Sequence, residues 1–255
     1  MSERRNQDKQ TNPTATKKLV SFSETNIDSQ SDPEHTYFSQ SHIGCDETGS
    51  TDFFGPLCVV ACYIDERDID WLHSIGICDP KTLSDSQIVT IARTMKDRVL
   101  YSLLILDNSH YNKMASEGNN VATIKAKLYN QAVTNVMQKL QLPVVHKVVT
   151  QFVSPKTYFN YLKDEIIVVK DLSFQTKGEE TYVAIMCANI LSRYAYLQYF
   201  TNMSKSLKQE LPRGNNAGAD QAAVKIAQKY GNDILLKVTK TNMTNYKRVK
   251  ELLQK

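Results

Sequence analysis

The chain has 255 residues, 41% of them apolar and 23% charged, with a formal net charge of +4. That content is enough for one sizeable core and excludes a chain disordered throughout, while the mild positive charge permits a polyanionic partner without requiring one. No run approaches the ~18 consecutive apolar residues of a membrane span, and M-S-E-R-R-N-Q-D-K-Q lacks the apolar segment of a signal peptide, so neither is expected.

Residues 1 to about 40 are rich in Ser, Thr, Asn, Gln, Asp and Lys and show no sustained periodicity; they read as a disordered polar tail, with a short ordered patch at Leu19 to Phe22 as a weak signal. Residues 41–255 read as the folded domain. Ile43 to Asp46 and Pro56 to Ile64 are expected as strands joined by a Gly-bearing turn. Ser84 to Arg98 reads as a helix with Ser84 as its cap, and Leu100 to Leu106 as a third strand. Val121, Ile124, Leu128, Val136 and Leu140 fall on one stripe and predict a long helix over Asn120 to Leu140, with Lys125, Lys127 and Lys139 on its solvated face. Val144 to Phe152 reads as a buried strand and Tyr182 to Phe200, apolar almost all round, as a helix inside the core. Asp220 to Tyr230 is a further helix and Ile234 to Val238 a short strand. Intermixed strands and helices with an opening hairpin imply an α/β fold, a central mixed sheet flanked by helices.

The five cysteines, an odd number with no C-x-x-C, read as reduced thiols of a cytoplasmic protein, and the five histidines show no zinc-binding spacing. The informative stretch is G-C-D-E-T-G-S, where Asp46 and Glu47 stand together at the end of an expected core strand. Adjacent acids repel, and acids are buried only when paired or bound to a cation. A metal site, a phosphate loop and an ordinary turn are the three readings. Mg²⁺ takes hard oxygen ligands, and two such ions serve phosphodiester hydrolysis when further acids arrive from elsewhere in the chain. Lys177-Gly178-Glu179-Glu180 supplies a second acidic cluster, although acids ahead of a helix also favour its N-terminus for purely structural reasons.

These residues resemble a known family. G-C-D-E-T-G-S-T-D-F-F-G-P-L-C-V-V-A is similar to the opening active-site segment of the type 2 and type 3 ribonucleases H, and F-F-G-P-L points to the ribonuclease HIII branch. C-D-P-K-T-L, H-Y-N-K-M, N-N-V-A-T-I-K-A-K-L-Y-N-Q-A, T-Q-F, F-Q-T-K-G-E-E, A-N-I-L-S-R-Y-A-Y-L and L-P-R-G follow in the family's order, from about Ile43 to Arg248. The resemblance implies an RNase H-like fold and an endonuclease that cuts the RNA strand of RNA/DNA hybrids with Mg²⁺ or Mn²⁺; a monomer is the separate expectation for its assembly. It implies that Asp46 bridges the metals, that Glu47 and Glu179 complete them (Glu180 being the neighbouring alternative), and that Thr48, Gly49, Ser50 and Thr51, with Lys81, position the substrate. Contact with a 2′-hydroxyl is what distinguishes RNA from DNA at such a loop.

The sequence also departs from the pattern. Thr150 stands where the family has its third acid, which predicts weaker binding of one metal and weakened catalysis. Gly-Thr-Gly has become Gly49-Ser50-Thr51, D-S-K-K-L has become Asp79-Pro80-Lys81-Thr82-Leu83, and L-H-F has become Thr241-Asn242-Met243. Two other readings compete. D-E-T-G-S is close to the phosphate loop of actin-like ATPases, but no second phosphate loop or adenosine site is found. A catalytically impaired hybrid-binding protein on the same fold is the alternative, with Lys81, Lys156, Lys177, Arg193, Arg213, Lys240, Lys247 and Arg248 as candidate phosphate contacts that also read as plain surface charges.

Overall fold

The computed structural model describes residues 37–140, 143–144 and 146–254. The tail expected at the N-terminus, with its patch at Leu19 to Phe22, falls outside the described residues up to position 36. Tyr37 and Phe38 are described. Tyr37 packs on the core, and the Phe38 amide donates to the Thr181 carbonyl at 2.9 Å.

The elements run in chain order as β1 (His42–Thr48), β2 (Leu57–Ile64), α1 (Ile69–Ser74), α2 (Asp85–Met95), β3 (Leu100–Leu106), α3 (Asn108–Ser116), α4 (Val121–Leu140), β4 (His146–Thr150), α5 (Pro155–Tyr161), β5 (Ser173–Gln175), α6 (Val183–Leu207), α7 (Ala217–Tyr230), α8 (Leu235–Val238) and α9 (Thr244–Leu253). The strands form one sheet in the order β3-β2-β1-β4-β5. β1 pairs antiparallel with β2 and parallel with β4, β3 is antiparallel to β2, and β5 is parallel to β4. The mixed sheet flanked by helices is therefore as the sequence implies.

The continuous apolar run of β2, L-C-V-V-A-C-Y-I, suits a strand covered on both faces, and all of it but Tyr63 is fully buried. One face carries α1, α2 and α6, packed on Val60, Cys62 and Ile64. The other carries α4 and α5, packed on Ile43, Cys45, Val59 and Ala61. A third cluster joins the second half of α6 to α7, α9 and the aromatic pair Phe53–Phe54. α2 starts with a capping box in which Ser84 and Gln87 satisfy each other's backbone amides, which explains its sharp start.

One expectation needs correction, and one strand was not foreseen. Ile234 to Val238 is helical and not a strand, Ile234 closing a 3-10 turn and Leu235–Val238 forming α8: so short an apolar run carries no period, and beside it lies the isolated bridge Phe54–Thr239. β5, only three residues long with an exposed Ser173, has no sequence signal and exists because β4 offers it an edge.

Strand alternation sets the orientation of the acidic pair. Gly44, Asp46 and Thr48 face α6; Ile43, Cys45 and Glu47 face α4. Gly44 is needed where β1 crosses α6, because a Cβ there would stand 2.3 Å from the Ala184 backbone. The α6 N-terminus is tied to β1 at the same crossing, with the Ala184 amide donating to His42 Nε2 at 3.1 Å.

Candidate active site

Asp46 and Glu47 lie at the carboxyl end of the central strand, where β1 runs beside β4 on one side and β2 on the other. Open α/β sheets place their ligands at such ends. The parallel register pairs Cys45 with Val149, so the next step along both strands sets Asp46 beside Thr150. The position expected to supply a third acid is thus adjacent to the first, and it carries a hydroxyl. Thr150 Oγ1 is buried and meets no partner at full hydrogen-bond geometry, although its proximity favours the ionised form of Asp46.

Asp46 is 6% exposed and accepts from three neutral donors: the Glu47 amide at 2.8 Å, the Asn189 side-chain amide at 2.8 Å and the Tyr129 hydroxyl at 3.3 Å. No ammonium or guanidinium among the described residues pairs with it. Burial, and then the charge of Glu47, push its pKa up to about 7. Glu47, on the opposite face, is engaged at both oxygens. Lys125 forms an ion pair with Oε1 and Tyr129 donates to Oε2, while the Ser50 hydroxyl lies 3.4 Å from Oε1. Lys125 and Tyr129 are one helical turn apart on α4, so one face of that helix takes hold of the carboxylate. Lys125 was expected on a solvated face; instead it is buried and lies 4.0 Å from the centre of the Phe152 ring.

The remaining expected residues distribute as follows. The Thr48 hydroxyl meets the Ser192 hydroxyl of α6 at 2.9 Å. Gly49 adopts φ +94°, a left-handed conformation that favours glycine, and a Cβ there would stand 2.3 Å from the Pro56 carbonyl oxygen. Thr51 is exposed at the tip of the turn. Glu179 is buried in a short 3-10 turn ahead of α6, and Lys81 forms an ion pair with it. It lines a cleft of about 300 Å³ together with Tyr37, Cys78, Asp79, Thr82 and Glu180. Among the described residues, no three Asp, Glu, His or Cys side chains converge as a metal-binding group. The structure therefore brings together Asp46, Glu47 and Thr150, and ties Glu179 to Lys81.

Among the candidate basic contacts, Lys240 is not a surface charge. It is 0% exposed, and its ammonium donates to the carbonyls of Asp52 at 2.8 Å and Gly55 at 2.7 Å. It thereby holds the loop that follows the acidic pair, and burial lowers its pKa to about 8. Arg193 and Arg213 both pair with Asp85 at the start of α2. Tyr129, Asn189 and Ser192 were not singled out from the sequence. Their only signal is that L-Y-N-Q-A and A-N-I-L-S place polar side chains inside otherwise apolar helix faces.

The donor set suits a hard divalent cation. It consists of oxygens only, it includes a buried carboxylate with no cationic partner, and an unsatisfied hydroxyl stands next to it.

A mixed five-stranded sheet with an Asp-Glu pair at the end of its central strand defines a nuclease-type α/β protein of the RNase H fold. The family profile described as ribonuclease HII matches residues 43–247, and the chain belongs to that family. Within it, the chain is 37% identical over 225 residues to ribonuclease HIII of Bacillus mycoides, spanning 88% of this chain and 72% of that protein. A crystal structure of Bst-RNase HIII in complex with Mn²⁺ superposes with a TM-score of 0.82 at 29% identity, covering 86% of this chain and 72% of that one. Ribonuclease H2 from Pyrococcus horikoshii shares the fold, with a TM-score of 0.68 at 17% identity over 85% of this chain and all of that one.

Proposed function

We propose that this protein is an endonuclease that hydrolyses the RNA strand of RNA/DNA hybrids, dependent on Mg²⁺ or Mn²⁺ and leaving a 5′-phosphate and a 3′-hydroxyl. The observation that carries the reading is Asp46: a buried carboxylate at the end of the central strand, held only by neutral donors, beside Glu47 and Thr150. The kinship with ribonuclease HIII and the Mn²⁺ bound by Bst-RNase HIII support the same chemistry. A divalent ion supplies a Lewis acid that activates water and stabilises charge on a phosphodiester oxygen. Asp46 and Glu47 are the residues that would hold it, with Glu179 as the further acid of the set. Asn189 fixes the Asp46 carboxylate. The turn Thr48–Gly49–Ser50–Thr51 receives the RNA backbone, and Lys240 keeps that turn in place through the carbonyls of Asp52 and Gly55. Lys81 approaches the substrate from the Glu179 side. The neutral Thr150 leaves the site short of one ligand and weakens catalysis. The protein acts as a monomer in the cytoplasm.

The test is cleavage of a labelled RNA/DNA hybrid in Mg²⁺ and in Mn²⁺ by the native protein, Asp46→Asn and Thr150→Asp. Cleavage by the native chain that is lost in Asp46→Asn supports the nuclease reading, and Thr150→Asp is then faster. Tight, salt-sensitive hybrid binding with cleavage only by Thr150→Asp favours the alternative, a hybrid-binding protein on a nuclease fold. That alternative rests on Thr150. No cleavage by any variant and no hybrid binding sinks both.

A further inference from the structure

We infer that Asp85 is a positioning residue for the nucleic acid: through Arg193 and Arg213 it locks together the two substrate loops, the turn that carries Lys81 and the turn at 49–51. The inference deepens the nuclease reading above and rests on it. Asp85 opens α2, and an acid in the first turn of a helix favours its dipole for structural reasons alone. Its two oxygens do more than that. Oδ1 accepts from Arg193, from Nε at 3.1 Å and from Nη2 at 2.6 Å, while Oδ2 accepts from Arg213 Nη2 at 2.7 Å. One carboxylate thus joins α6 to the loop at 211–214. Burial works against its charge, and the two guanidiniums outweigh burial, so its pKa lies below the ordinary carboxylate value.

Each arm ends at a substrate loop. Arg193 Nη1 donates to the carbonyls of Pro80 and Leu83, both at 3.1 Å, and these two residues bracket Lys81. Every nitrogen of Arg193 is engaged with the protein, so this residue is a strut of the Lys81 turn and not a phosphate contact. On the other arm, the Gly214 amide next to Arg213 donates to Asp52 Oδ1 at 2.5 Å, and the Gly214 carbonyl accepts from the Phe53 amide at 3.0 Å. Asp52 closes the turn at 49–51, its amide donating to the Gly49 carbonyl at 3.4 Å. The path from the Lys81 turn to Gly49 therefore passes through a single carboxylate. An asparagine there offers one acceptor oxygen in place of two, and no charge. The bland reading of Asp85 predicts the opposite sign: removing an ordinary surface acid near a polyanion tightens binding, whereas removing a positioning acid loosens it.

The experiment compares the native chain, Asp85→Asn and Asp85→Glu in three readouts. These are anisotropy of a labelled RNA/DNA hybrid with Ca²⁺ in place of Mg²⁺ over a range of salt, steady-state cleavage in Mg²⁺ and in Mn²⁺, and amide hydrogen exchange without nucleic acid. Asp85→Asn is expected to weaken hybrid binding and raise KM about tenfold, the order of one charge-assisted hydrogen bond, with kcat within about threefold of native. The salt slope is expected to stay as in the native chain, and Asp85→Glu, which keeps both oxygens and the charge, to restore most of the binding. In Asp85→Asn the amides of 80–83, 211–214 and 49–53 are expected to exchange faster together. Tighter hybrid binding by Asp85→Asn overturns the inference, as does faster exchange confined to one of these loops. Should Asp85→Asn not fold, Arg213→Gln decides, because it cuts one arm alone. Weaker binding at an unchanged salt slope, with faster exchange at 211–214 and 49–53 but not at 80–83, supports the inference. A slope smaller by about one makes Arg213 a phosphate contact and overturns it. A native chain that neither binds nor cuts the hybrid removes the nuclease reading, and the exchange pattern then upholds or overturns the lock between the loops by itself.

Discussion

Asn189 of α6 donates its side-chain amide to the Asp46 carboxylate of β1 at 2.8 Å, so the buried acid of the central strand is anchored by a group that carries no charge. A neutral donor favours the ionised form without cancelling its charge. Removing it raises the proton affinity of Asp46 above a value that burial and Glu47 have already pushed up to about 7. The hydrogen bond to a charged acceptor is worth about 1.5 kcal/mol, or about one pH unit. Asn189→Ala is therefore expected to move the acidic limb of the pH–rate profile up by about one unit, with the maximal rate less affected. An unmoved limb would show that Asp46 does not control it.

Asp46 also sets a stability prediction. Its folded pKa lies above the ordinary carboxylate value of 3.8, so the folded state holds the proton more tightly than the unfolded chain. Stability from this group is present at low pH and is lost as pH rises from about 4 through about 7. In metal-free buffer at pH 8, Asp46→Asn is expected to be more stable than the native protein by roughly 1–4 kcal/mol, the gap closing near pH 4. Saturating Mn²⁺ reverses the order, since an ion at a hundred times its Kd stabilises the native chain by about 2.7 kcal/mol. Thermal melts with and without Mn²⁺ at the two pH values check this.

His42 works in the opposite direction over much the same range. It is buried beneath the α6 N-terminus, Nδ1 meeting the Gln40 carbonyl at 2.7 Å and Nε2 accepting from Ala184, and burial pushes its pKa down to about 4 from 6.5. The unfolded chain takes the proton first. Its contribution is therefore whole above pH 6.5 and falls away as pH drops toward 4, by up to about 3 kcal/mol. Relative to His42→Asn, which keeps an acceptor for Ala184, the native protein is expected to lose more stability between pH 7.5 and pH 4.5. Equal losses in denaturant melts would contradict it.

Gly44 marks the closest approach of β1 and α6. A methyl group there meets the Ala184 backbone at 2.3 Å, and neither element can yield without opening the core. Gly44→Ala is expected to cost about 3 kcal/mol or more and to lower activity by displacing Asp46 from Asn189. A melting temperature within a degree of native would refute this contact.

Lys240 has no room to leave its two carbonyls. Lys240→Met removes both hydrogen bonds and strands the Asp52 and Gly55 carbonyl oxygens, at a cost of about 1–3 kcal/mol. Because the loop they belong to follows Gly49–Thr51, KM for a hybrid is expected to rise more than kcat falls. Steady-state kinetics at fixed salt separates the two.

Much of this protein is legible in its sequence because the signals are local. The apolar run of β2, the capping box of α2 and the all-round apolar helix α6 each follow from side-chain pattern and end chemistry within a few residues. The short elements escaped for the converse reason: α8 and β5 have no period of their own and take their form from Thr239, Phe54 and the edge of β4. At the site, Asp46 and Glu47 stand out because adjacent acids in an apolar context need a cause, and Thr150 because it breaks a recognisable pattern. Lys125 and Lys240 read as surface charges, since nothing in the residues beside them says that a distant carboxylate or carbonyl will meet them.

The sequence by itself determined the sheet-and-helix class, the family resemblance and the position of the acidic pair, because these depend on patterning and on residue type along the chain. The tertiary structure decided that the two carboxylates face opposite sides of the sheet, one toward Asn189 and the other toward Lys125 and Tyr129. It also decided that the acid without a cation is Asp46. Those outcomes depend on which helix packs on which face of β1, and so on contacts between residues 78 or more positions apart, which no local pattern encodes.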